Sequence, residues 1–218
     1  MSHLTRQEIP RKWPVERKGT AYIVKPNFSV KEGLPLLIIL REITNLAQNR
    51  REAKKIIHAK QILINEKIAK DEKSNVVLFD TLNIIPLKKC YRMELSDKGK
   101  FFLNDIKENE ANKKVAKVIN KKMLKGKKLQ LNLSDGRNFL SDLKCDTNDS
   151  VLINLKEGKI EKCLPLKEKS KIIVFSGKHV GKKGEIIELN NERKIAKINS
   201  DGKEINVLIN QLMVIENE

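Results

Sequence analysis

The stretch "SGKHVGKKGEIIELN", Ser176 to Asn190, sets three glycines and three lysines ahead of a run that turns apolar at Ile186. Glycine admits positive φ and close approach of another molecule, while lysine is a mobile cation that seeks an anion. The stretch reads as a turn built to meet phosphate. It is not a Walker A loop: only three residues separate Gly177 from Gly181, and Lys182 is followed by Lys183 where Ser or Thr would hold magnesium. Nor is it a dinucleotide fingerprint, because "EIIELN" and "KIAKIN" downstream alternate like strands instead of opening a helix. A polymeric phosphate backbone is the partner that remains.

Charge agrees with this. The 218 residues carry a formal net charge of +17 and a pI near 9.7, beyond what solubility needs. No apolar run approaches the ~20 residues of a membrane-spanning helix, and "MSHLTRQEIPRKW" has no signal-peptide core, so a cytoplasmic location is expected. Residues 98–128 hold eleven Lys or Arg against three acids, and residues 169–184 hold five against none. Residues 185–218 hold four against seven, so the glycine-lysine turn is a basic spot on a mildly acidic unit. The lysine run Lys121 to Lys128 reads as a solvated face. Aromatic residues make up only 4%, which leaves few stacking platforms for single-stranded bases.

Other chemistry finds little support. Cys90, Cys145 and Cys163 form no C-x-x-C pair, and His3, His58 and His179 stand alone, so plain thiols and no metal or cofactor are expected. Asp135, Asp142, Asp146 and Asp149 lie in turn-like sequence where acids are ordinary turn formers. No serine has a nucleophile-elbow context. A non-enzyme with no small-molecule substrate is expected. An RNA-modifying enzyme would need a catalytic domain larger than the middle of the chain can hold.

The organisation predicted is a multi-domain α+β chain. Residues 1–34, punctuated by prolines, read as an extended basic arm ordered by a partner, with Arg6, Arg11, Lys12, Trp13, Arg17 and Lys18 as candidate contacts; Trp13 packed on the neighbouring domain is the plain alternative. Residues 35–90 begin with a buried helix in "LPLLIILREITNLAQ". A second helix, "NRREAKKIIHAK", is capped by Asn49 and has Ala53, Ile56 and Ile57 on one face while the opposite face displays Arg50, Arg51, Lys54, Lys55 and His58. "QILINEKIAKD" and "VVLFDTLNIIPL" alternate as strands, with a turn at Asn65-Glu66. Residues 91–166 read as mostly β, with "KENEANKKVAKVINK" helix-compatible and hairpins around Asp135-Gly136 and Glu157-Gly158. Residues 167–218 form the last unit, with Lys178, His179, Lys182 and Lys183 at its basic turn.

The run Arg50 to Ile84 resembles the alpha-L RNA-binding domain, matched by Arg51, Ala53, Ile62, Ile64, Asn65 and Asp80. Lys60 and Glu66 stand where that pattern commonly has glycine. The opening stretch resembles a KOW motif, with Gly181 on its central glycine and Ile186 on the following apolar position. His3, Arg6, Pro10, Trp13 and Val15 resemble the segment that begins the e-type small-subunit ribosomal protein four family of archaea and eukaryotes, with Thr5 replacing a lysine. The order arm, alpha-L, KOW is that family's. The resemblance implies a β-rich central domain, a C-terminal KOW-type β-barrel, and a ribosome-associated chain that meets small-subunit ribosomal RNA and neighbouring small-subunit proteins; Lys60, at the end of the basic helix, is a further candidate RNA contact of this chain's own. A transcription or translation factor that uses a KOW barrel is the alternative.

Overall fold

The structure, a computed structural model, describes residues 3–126, 128–141, 143–190, 192–200 and 202–215; Lys127, Asp142 and the first two residues of the arm lie outside them. The chain divides into two compact units, one of Met1–Ser96 with Lys100–Asn112, the other of Asp97–Gly99 with Lys113–Glu218. The α+β expectation resolves to a mostly β architecture with a few short helices.

In the first unit the arm is folded. Strand β1 (Leu4–Thr5) pairs antiparallel with β2 (Tyr22–Ile23), and Leu4 and Trp13 are buried. The Arg6 guanidinium closes this loop by donating to the Thr20 carbonyl at 2.7 Å, the Glu16 carbonyl at 2.5 Å and Thr20 Oγ1 at 3.0 Å. Proline-rich spacing thus hides a stapled loop, because a single arginine satisfies carbonyls that no local period announces.

Strand β3 (Gly33–Pro35) leads into helix α1 (Leu36–Ile38), which continues as a π-helical turn over Ile39–Ile43. Leu36 to Leu40 are all buried, as the apolar run requires. Helix α2 (Arg50–His58) follows, then β4 (Ile62–Ile64) and β5 (Lys67–Ile68). "VVLFDTLNIIPL" is two strands, β6 (Asn75–Val77) and β7 (Thr81–Ile84), because Phe79 takes φ +62 and breaks the alternation. Strand β6 pairs with β3. Strands β8 (Lys89–Leu95) and β9 (Phe101–Ile106) complete a five-stranded sheet in the order β5-β4-β7-β8-β9, which runs through the expected boundary at residue 90.

The helix expected over "KENEANKKVAKVINK" is one turn only, α3 (Glu108–Ala111), after which the chain becomes the eleven-residue strand β10 (Lys113–Met123). The β-branched residues Val115, Val118 and Ile119 suit a pleated surface, and β10 gains ladders on both sides. Its neighbours are β11 (Leu129–Leu133), β12 (Asn138–Leu140), β13 (Ser150–Asn154) and β14 (Lys159–Leu164), in the order β12-β11-β10-β13-β14. The Asp135-Gly136 and Glu157-Gly158 hairpins join β11 to β12 and β13 to β14. One face of this sheet buries Ala116, Val118, Leu131, Leu133, Val151 and Ile153.

A third five-stranded antiparallel sheet ends the chain: β15 (Lys171–Val174), β16 (Lys183–Asn190), β17 (Ile195–Ser200), β18 (Lys203–Leu208) and β19 (Leu212–Val214), ordered β18-β17-β16-β15-β19. Its core of Ile172, Val174, Ile186, Ile198 and Leu212 also takes in Leu164 and Val115 from the preceding sheet. Lys117 of β10, 3% exposed, reaches across to donate to the carbonyls of Ile209 at 2.6 Å and Leu212 at 2.8 Å. Val214 N donates to Ser150 Oγ at 2.9 Å beside it.

Candidate nucleic-acid interface

Helix α2 owes its start to Asn49, whose Oδ1 accepts from Glu52 N at 3.0 Å, while Glu52 Oε2 accepts from Gln48 N at 2.8 Å. Ala53 and Ile57 are buried, which turns Arg51, Lys54, Lys55 and His58 outward to solvent. Arg50 lies on the same helix but is held differently. Its Nε donates to both carboxylate oxygens of Glu72, at 2.9 and 3.0 Å, and Nη2 pairs with the same group. Glu72 is 3% exposed; the Arg50 hydrogen bond outweighs burial and holds its carboxyl below the ordinary range. Arg50 therefore clamps the helix start as well as contributing charge, and Lys54 Nζ lies 3.9 Å from the same carboxylate.

The helix ends at Lys60, whose φ of +57 is the left-handed conformation that favours glycine. Its amide donates to the Ile57 carbonyl at 2.9 Å and its side chain is exposed. The Asn65-Glu66 turn has positive φ at both residues, +50 and +62, as a primed two-residue hairpin demands. Asn65 Nδ2 donates to Asp80 Oδ1 at 2.8 Å and Asn65 Oδ1 accepts from Thr81 N at 3.1 Å; Glu66 Oε1 accepts from Asn83 Nδ2 at 2.6 Å. Asn65 and Asp80 are both buried, so they fix the frame from which the helix cations project.

The second basic locus is the turn between β15 and β16. Gly177 and Gly181 take φ +90 and +92. A Cβ on Gly177 would lie 2.4 Å from Gln211 Oε1. Gly181 N donates to the Val174 carbonyl at 2.8 Å, and Val174 N to the Lys182 carbonyl at 2.9 Å. Lys178 and Lys183 are exposed at this turn; His179 and Lys182 are half-buried.

In the arm, Arg11, Arg17 and Lys18 are exposed. Trp13, expected as an RNA anchor, is 2% exposed, so the plain alternative of a packed residue describes it. Arg6 is committed to its own loop. Lys12 is half-buried; burial pulls its ammonium below the ordinary range, and Glu32 opposes this. Among the described residues no group of three or more His, Cys, Asp or Glu could hold a metal, and no helix is long and apolar enough to cross a membrane.

Comparison with known proteins decides the family. The small ribosomal subunit protein eS4 of Methanocella arvoryzae is 36% identical over 191 residues, covering 86% of this chain and 81% of that one. The eS4 of Caldivirga maquilingensis is 34% identical over 230 residues, covering 100% of this chain and 97% of its own. The chain belongs to the eS4 family of small ribosomal subunit proteins. The model of Ribosomal family S4e matches residues 87–160, the part of the chain that carried no recognised motif. The crystal structure of the S4e protein of Thermoplasma acidophilum shares the fold at a TM-score of 0.73 and 23% identity, covering 85% of this chain and 95% of that one. Membership in the eS4 family sets aside the free-factor alternative.

Proposed function

We infer that this chain is a structural constituent of the small ribosomal subunit that binds and stabilises ribosomal RNA and carries out no catalytic step. The observation that carries the reading is the pair of outward basic surfaces, each on a frame locked by hydrogen bonds: Arg51, Lys54, Lys55, His58 and Lys60 on α2 and its end, and Lys178, His179, Lys182 and Lys183 on the turn before β16. The first belongs to an alpha-L RNA-binding domain over residues 35–90. The second belongs to a KOW-type barrel over residues 167–218, with the arm of 1–34 and the β-rich segment of 91–166 beside them. Arg11, Arg17 and Lys18 add cations from the arm.

Lysine and arginine neutralise phosphates and release counterions, so affinity comes from charge and shape, with base reading secondary. Neighbouring small-subunit proteins would cover what RNA does not. The test has two arms. The chain should stay stoichiometric on isolated small subunits at moderate salt, whereas a factor would wash off. Replacing Lys178, Lys182 and Lys183 together by Ala should lower the log-log salt slope of binding to small-subunit RNA by roughly 2 to 3, at ~0.7–0.9 per phosphate, and leave the melting temperature nearly unchanged. An early-melting triple variant with an unaltered slope would make the turn structural.

A further inference from the structure

We propose that the part of the outer face of β10–β11–β12 that the last sheet leaves uncovered, beyond Lys117, is a binding surface for helical RNA that meets the ribose edge of the duplex through amide side chains. It rests on the RNA-binding reading above and adds a surface in the part of the chain where that reading places no contact.

The placement follows from strand alternation. Leu129, Leu131 and Leu133 face the core with Phe139, so Gln130 and Asn132 of β11 face the other way. Register then fixes two cross-strand rows on that face: Asn120, Asn132 and Asn138 in one, Lys122, Gln130 and Leu140 in the next. Asn120, Lys122, Asn138 and Leu140 are exposed, Gln130 and Asn132 half-buried. With strands about 4.8 Å apart, each row spans roughly 10 Å.

The chemistry is uneven in a way that points to one occupant. Asparagine is depleted from strands, yet three align in a single row. Asn132 Oδ1 accepts from Gln130 Nε2 at 2.7 Å and Asn120 Oδ1 from Lys121 N at 2.8 Å, which orients two of the amides through their oxygens. Neither row contains a carboxylate, in a chain of net charge +17. The hairpin tip beyond the rows is basic and exposed at Lys125 and Lys128.

A-form RNA presents a wide, shallow minor groove lined by 2′-hydroxyls, each both donor and acceptor. An amide side chain offers both complements, which an ammonium does not. A flat amide surface beside a basic tip fits that groove between its flanking phosphates. A protein partner fits less well, because interface cores favour aromatic residues and five of these six side chains are polar.

The experiment uses the full chain and two probes, a short RNA duplex and the same duplex built of DNA. Wild type should prefer the RNA. The triple variant N120A/N132A/N138A should lose roughly ten- to a hundredfold on the RNA duplex, as expected of up to three lost hydrogen bonds, with the DNA affinity and salt slope unchanged. Melting checks the fold, and N120L/N132L/N138L, of similar branched shape and with no added charge, provides a second variant that should lose as much on the RNA duplex and nothing on the DNA. Equal losses on both duplexes, or none, overturn the proposal. So does unchanged RNA affinity with failed incorporation into reconstituted subunits, which would mean a protein partner. Should the Asn variants match wild type while the Lys178/Lys182/Lys183 variant loses its slope, this inference falls alone. A wild type that binds neither duplex nor small-subunit RNA overturns the parent reading too.

Discussion

Lys117 is a buried cation without a carboxylate partner among the described contacts, and its ammonium should make stability depend on pH. Burial pulls its pKa down to about 8 from an ordinary 10.5, even though the Ile209 and Leu212 carbonyls hold the charged form and the Phe175 ring lies 5.8 Å from the nitrogen. The folded state therefore binds this proton less tightly than the unfolded chain does. Below pH 8 both states are charged and the desolvation cost is borne in full. Between 8 and 10.5 the folded protein sheds the proton first, so stability rises with pH and the gain is complete above 10.5. Taking 1.36 kcal/mol per pKa unit, the gain is on the order of 1.4 kcal/mol by pH 9 and 2.5 kcal/mol by pH 10. The readout is a difference, so that every other contribution to the pH dependence cancels. Wild type and Lys117→Met are unfolded in urea, followed by circular dichroism, from pH 7 to 10 at fixed salt. The gap between them should shift in favour of wild type by roughly those amounts, while a control at exposed Lys122→Met stays parallel to wild type. A wild-type-minus-variant curve that is flat within 0.5 kcal/mol (about a third of a pKa unit) would refute the reasoning.

Lys60→Gly relieves a left-handed φ of +57 at the end of α2 and should be neutral or stabilising by up to about 1 kcal/mol in a thermal melt; clear destabilisation would mean the helix end is held by the lysine side chain. Gly181→Val forces a β-branched residue to φ +92 and should cost more than about 1 kcal/mol, with RNA affinity falling only as the fold does when both are measured across temperature. Glu72→Gln removes the carboxylate that Arg50 grips and should destabilise the first unit by roughly 1–3 kcal/mol at pH 7. Because Arg50 lowers the Glu72 pKa, wild type loses that contribution as pH falls below the ordinary carboxylate value of 4.5, and the variant should show a shallower acid limb.

The features legible in the sequence are those with local causes. Asn49 caps a helix three residues before Glu52, Lys60 takes the place of a helix-ending glycine, and Asn65-Glu66 adopts the primed turn their position suggested, since each is settled within a few residues. The helix misread over residues 107–121 shows the limit of propensity. Lysine, alanine and asparagine-rich sequence tolerates a helix, but β10 has ladders waiting on both sides, and strand pairing outweighs a few tenths of a kcal/mol per residue. The internal contacts of the arm are hidden for a related reason: they depend on Arg6 reaching carbonyls ten and fourteen residues away, which composition does not encode.

Charge was the least legible property at the level of single residues. Within the basic stretch 98–128 only the run Lys121 to Lys128 reads as a solvated face, and nothing local in the sequence marks Lys114 and Lys117 as the residues that end up 2% and 3% exposed. Lys114 ends on Asp135, twenty-one residues on, at 2.6 Å, and Lys117 ends on carbonyls more than ninety residues on. Which lysine turns inward is thus decided by partners far along the chain, while alternation within β10 only decides which face it leaves from. The same distance hid the role of Arg50, twenty-two residues from Glu72. Removing such residues should perturb folding first and RNA affinity second. An alanine scan that scored every basic residue by RNA binding alone would therefore mistake Lys114, Lys117 and Arg50 for phosphate contacts. Pairing each binding curve with a melt separates them: loss of affinity with loss of stability and an unchanged salt slope marks a structural cation, and loss of slope at constant stability marks one that touches phosphate.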